Sequence, residues 1–142
     1  MAKLQTTQGI QKTTLVFPVD SDSDQVLLGM KKRGFGSGWW NGFGGKLEGN
    51  ETYKQNAARE VHEECGLIVH SLQLAARLLF YFDDVPTIVS AAYICTDFSG
   101  EPTETEEMKP QWFSTSDLPL NQMWGGDKYW VPQLFDSRTD EV

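Results

Sequence analysis

The chain has 142 residues and 16.0 kDa, enough for one domain, and its 39% hydrophobic content excludes a mostly disordered protein. No run approaches the roughly 18 apolar residues of a membrane-spanning helix, so we expect no membrane partner. A net charge of −8 excludes attraction of nucleic acid by the overall field, so a phosphate substrate would need local positive charge, most simply a divalent cation. The two cysteines, Cys65 and Cys95, are too few for a disulfide scaffold and indicate a reducing, cytoplasmic protein.

The first part of the chain predicts a hairpin followed by a long loop. Residues 1–12 show no periodic pattern and are expected to fray. Thr13–Val19 and Gln25–Lys32 are predicted strands, joined by the turn-forming segment Ser21–Asp24. Arg33–Asn50 holds seven glycines interleaved with aromatic residues, which indicates a loop with a defined backbone shape and not a flexible linker.

Glu51–Cys65 is predicted to form one long helix. Asn50 is a suitable N-cap, Glu51 matches the positive end of the helix dipole, and Gly66 is a suitable C-terminal stop. The apolar stripe that would face the core consists of Ala57, Ala58, Val61 and Cys65.

The rest of the chain alternates strands and loops before a last helix. Leu67–Phe82 and Pro86–Thr96 are predicted long strands, and Lys109–Ser114 is a short one. Because proline disfavours a helix interior, the last helix is expected to begin near Pro132, and residues 137–142 are expected to fray. Helices placed between and after strands predict a mixed α/β domain.

Three carboxylates share one face of the long helix. Glu60, Glu63 and Glu64 stand at positions i, i+3 and i+4, where their charges repel. A hard divalent cation such as Mg²⁺ prefers oxygen ligands and would remove this repulsion. A solvated acidic helix face explains the same three residues equally well, so the face alone leaves both interpretations open.

The spacing of the residues around this face favours the metal-binding interpretation over the solvated acidic face. It runs from Gly45 and Glu51 through Arg59-Glu60 and Glu63-Glu64 to Gly66-Leu67, and this is the complete Nudix box. The chain therefore resembles the Nudix hydrolases. The resemblance implies an α/β/α sandwich with a mixed β-sheet and one long catalytic helix, formed by residues 1–142 as a single domain.

The resemblance also implies a metal site and catalytic residues. Mg²⁺ is the expected cofactor, with Mn²⁺ as an alternative. The implied metal site consists of Glu60, Glu63, Glu64, Glu107 and Gly44. The implied catalytic residues are Glu64, Glu60 and Arg59, with Arg59 orienting the glutamates. Glu64 is the favoured general base, and Glu60 and Glu107 compete with it for this role.

Within the family, three further segments resemble the animal oxidised purine nucleoside triphosphatases: Leu27–Lys46, Glu106–Phe113 and Met123–Phe135. The resemblance implies a substrate pocket formed by Asn41, Asp127, Phe35, Trp124, Phe80, Phe82, Lys31 and Thr14. One position departs from the pattern, because Gly126 stands where those enzymes carry the first of two adjacent acids. This departure puts the breadth of base recognition in doubt.

The implied activity is Mg²⁺-dependent hydrolysis of oxidised purine nucleoside triphosphates, with 8-oxo-dGTP favoured, to the monophosphate and pyrophosphate. Such an enzyme would sanitise the nucleotide pool as a cytoplasmic monomer, with nuclear or mitochondrial pools as alternatives. Two other functions stay open: a Nudix hydrolase for another modified nucleotide, such as an alkylated purine triphosphate, and a catalytically silent nucleotide-binding module.

Overall fold

The architecture is described by a computed structural model for residues 9–34 and 36–136. The strands are β1 Gln11–Asp20, β2 Gln25–Lys31, β3 Trp40–Asn41, β4 Ile68–Val69, β5 Gln73–Phe82, β6 Val85–Cys95, β7 Phe98–Ser99 and β8 Met108–Ser114. The α-helices are α1 Tyr53–Cys65 and α2 Asp127–Asp136, and a 3₁₀ turn covers Leu120–Gln122. Neither α-helix within the described residues is long and apolar enough to cross a membrane.

The main sheet is mixed. Its strands follow the order β3-β2-β1-β6-β5, and β8 pairs with β2. β1 and β6 run parallel from the pair Gln11–Ile88 to the pair Pro18–Cys95, whereas the other pairs in this sheet are antiparallel. β4 and β7 form a separate two-stranded sheet.

The glycine-rich loop inserts beside β1 and acts as a strand. β1 and β2 pair only next to their turn, at Val19–Val26 and Asp20–Gln25. Beyond the turn, backbone hydrogen bonds join β1 to the loop at three places: Val16 with Phe43, Thr14 with Gly45, and Lys12 with Leu47. The sheet therefore fixes the backbone of the loop immediately before it enters α1.

The two α-helices cover opposite faces of the sheet. Alternation along β1 sends Val16 into the core beneath α1 and Phe17 into the core beneath α2. α1 contributes Ala57, Val61 and Cys65 to the first core, and α2 contributes Val131 and Phe135 to the second. The α/β/α sandwich with a mixed sheet is therefore confirmed.

The predicted start of the long helix is wrong by two residues. α1 begins at Tyr53, and Thr52 is its N-cap in place of Asn50. Thr52 and Gln55 form a capping box, in which the Thr52 hydroxyl accepts the Gln55 N–H at 3.1 Å and Gln55 Oε1 accepts the Thr52 N–H at 2.9 Å. The predicted stop is confirmed, because Gly66 caps the helix with a left-handed φ of 84°.

Two strand predictions also need correction. Residues 11 and 12 do not fray, because they belong to β1 and pair with Ile88 and Val89. The predicted strand Leu67–Phe82 is two strands, since β4 leaves the main sheet to pair with β7.

The last helix begins earlier than Pro132 predicts. A turn closes from the Trp124 carbonyl to the Asp127 N–H at 2.9 Å and starts α2 five residues before the proline. Pro132 lacks the N–H of one helical hydrogen bond, and burial of Val131 and Phe135 against the sheet offsets that loss. Residues 137–142, predicted to fray, lie outside the described part of the chain.

Candidate active site

Two glycines let the loop and α1 approach each other closely. A Cβ atom on Gly44 would lie 2.0 Å from the Thr14 carbonyl oxygen, and one on Gly45 would lie 2.3 Å from Glu60 Oε2. Because neither glycine carries a Cβ atom, the loop approaches α1 closely enough for the Gly44 N–H to donate to Glu64 Oε1 at 3.1 Å. The loop therefore lies directly against the two carboxylates of the helix.

Arg59 holds the acidic residues around it in fixed positions. Its Nε donates to Glu51 Oε2 at 2.5 Å, and one terminal nitrogen donates to both Glu63 oxygens at 3.0 and 3.1 Å. The other terminal nitrogen lies 3.4 Å from Glu60 Oε2 and 3.7 Å from Glu48 Oε2. Hydrogen bonds from Arg59 and Asn56 lower the pKa of Glu51 to about 2, so this carboxylate stays ionised.

Glu60 and Glu64 experience the opposite effect. Burial, followed by the charge of Glu60, raises the pKa of Glu64 to about 8. Burial also raises the pKa of Glu60, where Arg59 opposes the shift and Glu63, Glu48 and Glu107 add to it. Both carboxyls therefore lie where negative charge is unfavourable without a counter-charge.

Glu107 lies on the loop before β8 and is tied to α1 through one hydroxyl. Thr105 Oγ1 donates to the Glu64 carbonyl oxygen at 3.1 Å and accepts the Glu107 N–H at 3.3 Å. The charge of Glu107 contributes to the raised pKa values of both Glu60 and Glu64. Glu107, although distant in sequence, is therefore a third carboxylate whose charge acts on Glu60 and Glu64.

The donor set fits a hard divalent cation, although the described side chains are not arranged in a preformed metal cluster. Glu60, Glu64 and Glu107 offer oxygen atoms only, and their mutual repulsion is what a cation would relieve. Glu63, the other predicted ligand, is bound by Arg59. Gly44 contacts the cluster through its N–H group. Glu63 and Gly44 as metal ligands stay predictions.

A cavity of about 240 Å³ opens beside this cluster. Its lining includes Glu64, the loop glycines Gly44 and Gly45, and Trp124. The indole of Trp39 stacks on that of Trp124 with ring centroids 6.1 Å apart and planes at 22°. A flat apolar wall next to carboxylates suits a ligand with an aromatic base at one end and phosphates at the other.

The structure brings half of the predicted pocket residues into this cavity. Four of the eight predicted residues line it: Lys31, Asn41, Trp124 and Thr14. Phe80 and Phe82 lie on the edge strand β5, 45% and 61% exposed, and do not line it. Phe35 lies outside the described residues. The substrate roles of all eight residues stay predictions.

Asp127 also lies outside the cavity lining, but its carboxyl is buried. It begins α2 three residues after Trp124 and is 8% exposed. Its Oδ2 atom is buried without a hydrogen-bond partner among the described residues. Burial raises the pKa of Asp127, and bonds from the Trp130 side chain and the Trp124 backbone oppose the shift. Oδ2 therefore has the capacity to accept one further hydrogen bond.

Two residues of the site, Trp39 and Asn56, were not predicted from the sequence. Trp39 stacks on Trp124 and lines the cavity, and its position among the glycines of the loop was the available signal. Asn56 is completely buried and bonds to Thr14, Lys46 and Glu51. A polar residue beside the apolar stripe of a predicted helix was the corresponding signal.

The acidic helix and the glycine loop thus meet at a cavity walled by two indoles, an arrangement suited to a phosphate-bearing ligand with a bound cation. The NUDIX domain family model matches residues 9–134. The chain belongs to the Nudix family. Members of this family generally use a divalent metal ion.

Similar proteins agree with this assignment. Over 115 residues, 80% of this chain and 74% of the relative, the chain is 45% identical to a mouse protein named oxidized purine nucleoside triphosphate hydrolase. It is 44% identical, with the same coverage, to the zebrafish protein of that name. The MutT structure from Aliivibrio salmonicida and Vibrio cholerae superposes with a TM-score of 0.74 at 24% identity, covering 91% of this chain and 98% of that one, and supports the fold.

Proposed function

We propose that this chain hydrolyses oxidised purine nucleoside triphosphates to the monophosphate and pyrophosphate, with 8-oxo-dGTP favoured. One observation carries the proposal: Glu64, Asn41 and Trp124 line the same cavity. A carboxylate suited to phosphate chemistry therefore shares one cavity with an amide and an indole suited to contacting a base. The names of the mouse and zebrafish relatives support the substrate class.

Mg²⁺ is the proposed cofactor, with Mn²⁺ as an alternative. Glu60, Glu64 and Glu107 would hold it, because their carboxylates act on one another electrostatically. When bound, the cation supplies positive charge to the phosphate oxygens and lowers the pKa of water. Glu63 and Gly44 complete the proposed metal-binding set.

Glu64 is the proposed general base. With a pKa of about 8 it holds a proton more tightly than an ordinary carboxyl, and positive charge nearby favours its ionised form. The ionised carboxylate accepts a proton from the water that attacks the β-phosphorus. The Gly44 N–H fixes the orientation of this carboxylate through Oε1. Glu60 and Glu107 are the competing bases, and Arg59 positions Glu60.

Recognition of the oxidised base is assigned to polar groups around the aromatic wall. Oxidation at C8 converts N7 of guanine from an acceptor to an N–H donor. A buried donor or acceptor left without a partner costs about 1–3 kcal/mol, so a matched set of groups discriminates where ring stacking does not. Asn41 and Asp127 are the proposed readers, and Lys31, Thr14 and Phe35 are the proposed neighbours of the base. Phe80 and Phe82, which lie outside the cavity lining, are proposed to contact the base from the edge strand β5.

A second candidate is a hydrolase for an alkylated purine triphosphate. A Cβ atom placed on Gly126 meets no atom within 4 Å, so there is open space next to Asp127. An alkyl substituent on the base would fit into this space, whereas an acidic side chain at position 126 would occupy it.

The proposal places the enzyme in the cytoplasm, with nuclear and mitochondrial pools as alternatives, as a monomer that removes oxidised bases before they enter DNA. Cys65 and Cys95 are buried free thiols, which is compatible with a reducing compartment.

A pyrophosphate-release screen tests the proposal. The purified chain is assayed with 8-oxo-dGTP, 2-hydroxy-dATP, O6-methyl-dGTP and dGTP, with Mg²⁺, with Mn²⁺ and with EDTA. We expect the highest kcat/KM for 8-oxo-dGTP and no turnover in EDTA. The highest kcat/KM for O6-methyl-dGTP would favour the second candidate. Binding without turnover in either metal would indicate a silent nucleotide-binding module.

A further inference from the structure

Asn56 is a fully buried polar side chain at the junction of three segments. Its Oδ1 accepts the Thr14 hydroxyl of β1 at 2.5 Å. Its Nδ2 donates to the Lys46 carbonyl of the glycine loop at 2.7 Å and to Glu51 Oε1 at 3.0 Å. One carboxamide therefore joins the sheet, the loop and the carboxylate that precedes α1.

These bonds lead directly to the acidic cluster. Glu51 Oε2 accepts Arg59 Nε, and Oε1 accepts Asn56 Nδ2 together with the Glu48 N–H at 2.9 Å and an Arg59 terminal nitrogen at 3.2 Å. Arg59 then uses its remaining nitrogens for Glu63 and Glu60. Among the donors to Glu51, Asn56 connects this carboxylate to β1 and the glycine loop, so it helps to set the position of Arg59 and of the two glutamates that Arg59 contacts.

The bonding pattern requires a carboxamide. Both N–H groups of Asn56 are used as donors, and its oxygen is used as an acceptor. An aspartate has nearly the same shape but donates to neither Lys46 nor Glu51. An alanine loses all three bonds and leaves buried partners without one.

We propose that Asn56 is a positioning residue that sets the affinity of the site for its divalent cation, acting through Glu51 and Arg59. The inference rests on the proposed metal role of the glutamates. Within the described part of the chain, the hydrogen bonds of Asn56 run to Thr14, Lys46 and Glu51 and to no proposed metal ligand, so we expect its effect to reach the cation through the geometry of the carboxylates. Such indirect partners typically change metal affinity by about 10–100-fold when they are removed.

The test compares Asn56→Asp with Gln55→Ala. Gln55 is the neighbouring residue and stabilises the same helix end through the capping box, but it does not contact Glu51. Mn²⁺ binding to the folded variants is measured without nucleotide, from the electron paramagnetic resonance signal of free Mn²⁺. Steady-state kinetics at increasing Mg²⁺ and circular dichroism accompany it.

We expect Asn56→Asp to bind Mn²⁺ about 10–100-fold more weakly, with kcat recovering at high Mg²⁺. We expect Gln55→Ala to keep the wild-type affinity. Equal affinity in wild type and folded Asn56→Asp, or an equal loss in Gln55→Ala, would overturn the inference. If Asn56→Asp does not fold, Thr14→Val is tested in its place, because it removes the hydroxyl that Asn56 Oδ1 accepts. This variant should bind Mn²⁺ more weakly, and its kcat should recover at high Mg²⁺. Wild type that binds no Mn²⁺ would instead overturn the metal site and this inference together.

Discussion

The Gly44 N–H and Glu64 Oε1 are hydrogen-bonded at 3.1 Å, although 20 residues separate them in the chain. The bond exists because the loop around Gly44 is paired with β1 on one side and covered by α1 on the other. It therefore links the most strongly perturbed carboxyl of the cluster to the sheet. Gly44→Ala should break this bond, whereas Glu64→Gln should keep it and remove the charge of the carboxylate.

Gly44→Ala should destabilise the protein and remove activity. The added Cβ atom would lie 2.0 Å from the Thr14 carbonyl oxygen, so the loop must move away from β1 and from Glu64. Overpacking of this kind costs about 1–3 kcal/mol. Thermal unfolding measures the loss, and Gly125→Ala is the control, since a Cβ there meets no atom within 4 Å. Equal melting temperatures for the two variants would contradict the prediction.

Glu64→Gln should lower kcat by at least about 10²-fold with a small change in KM. The amide oxygen still accepts the Gly44 N–H, so the loop stays in place while the proton acceptor and the charge are lost. Pyrophosphate release by the variant and by wild type measures the effect. Full activity in Glu64→Gln would assign the base to Glu60 or Glu107.

The stability of the chain in EDTA should fall as pH rises from about 4.5 to about 8. The pKa of Glu64 is raised from 4.5 to about 8, so in this range the folded protein binds more protons than the unfolded chain, and raising pH favours unfolding. The loss is on the order of 1 kcal/mol per unit of the shift. Urea unfolding across this range measures it, and Glu64→Gln should flatten the dependence. An unchanged slope in that variant would show that another group is responsible.

Asn41→Asp should reduce kcat/KM for 8-oxo-dGTP more than for dGTP. Asn41 Oδ1 accepts the Gly42 N–H at 2.8 Å, and an aspartate keeps this bond while it replaces the amide donor that lines the cavity. The change therefore tests base reading without opening the turn, as Asn41→Ala would. Equal losses on both nucleotides would make Asn41 a residue that shapes the loop.

The sequence predicted the acidic face and the glycine loop because both follow from local spacing. It misplaced the start of α1 because Asn50 and Thr52 are both good N-caps. A tertiary contact favours Thr52: with a helix starting at Glu51, Arg59 would lie about 12 Å further along the axis, out of reach. Outside the helix, Glu51 folds back onto Arg59. The bonds of Asn56 depend on β1 and the loop meeting, which no local pattern contains.

The final prediction concerns Asp127 and its neighbour Gly126. Asp127 Oδ2 is buried without a hydrogen-bond partner among the described residues, and burial raises the pKa of this carboxyl although Gly126 supplies no second acid. The ionised carboxylate accepts hydrogen bonds and suits the N1–H and amine of 8-oxoguanine, whereas the protonated acid also donates and suits 2-hydroxyadenine. At pH values where Asp127 is ionised, we therefore expect a preference for 8-oxo-dGTP over 2-hydroxy-dATP of roughly 5- to 150-fold.

Because the acid loses its proton as pH rises through its pKa, this preference should grow with pH. Gly126→Asp should narrow it, since the new side chain has room and two adjacent carboxyls can share a proton. The measurement is the ratio of kcat/KM for 8-oxo-dGTP to kcat/KM for 2-hydroxy-dATP, taken across pH for wild type and Gly126→Asp. If this ratio is the same at every pH in both proteins, Asp127 does not contact the base. That result would agree with the absence of Asp127 from the cavity lining.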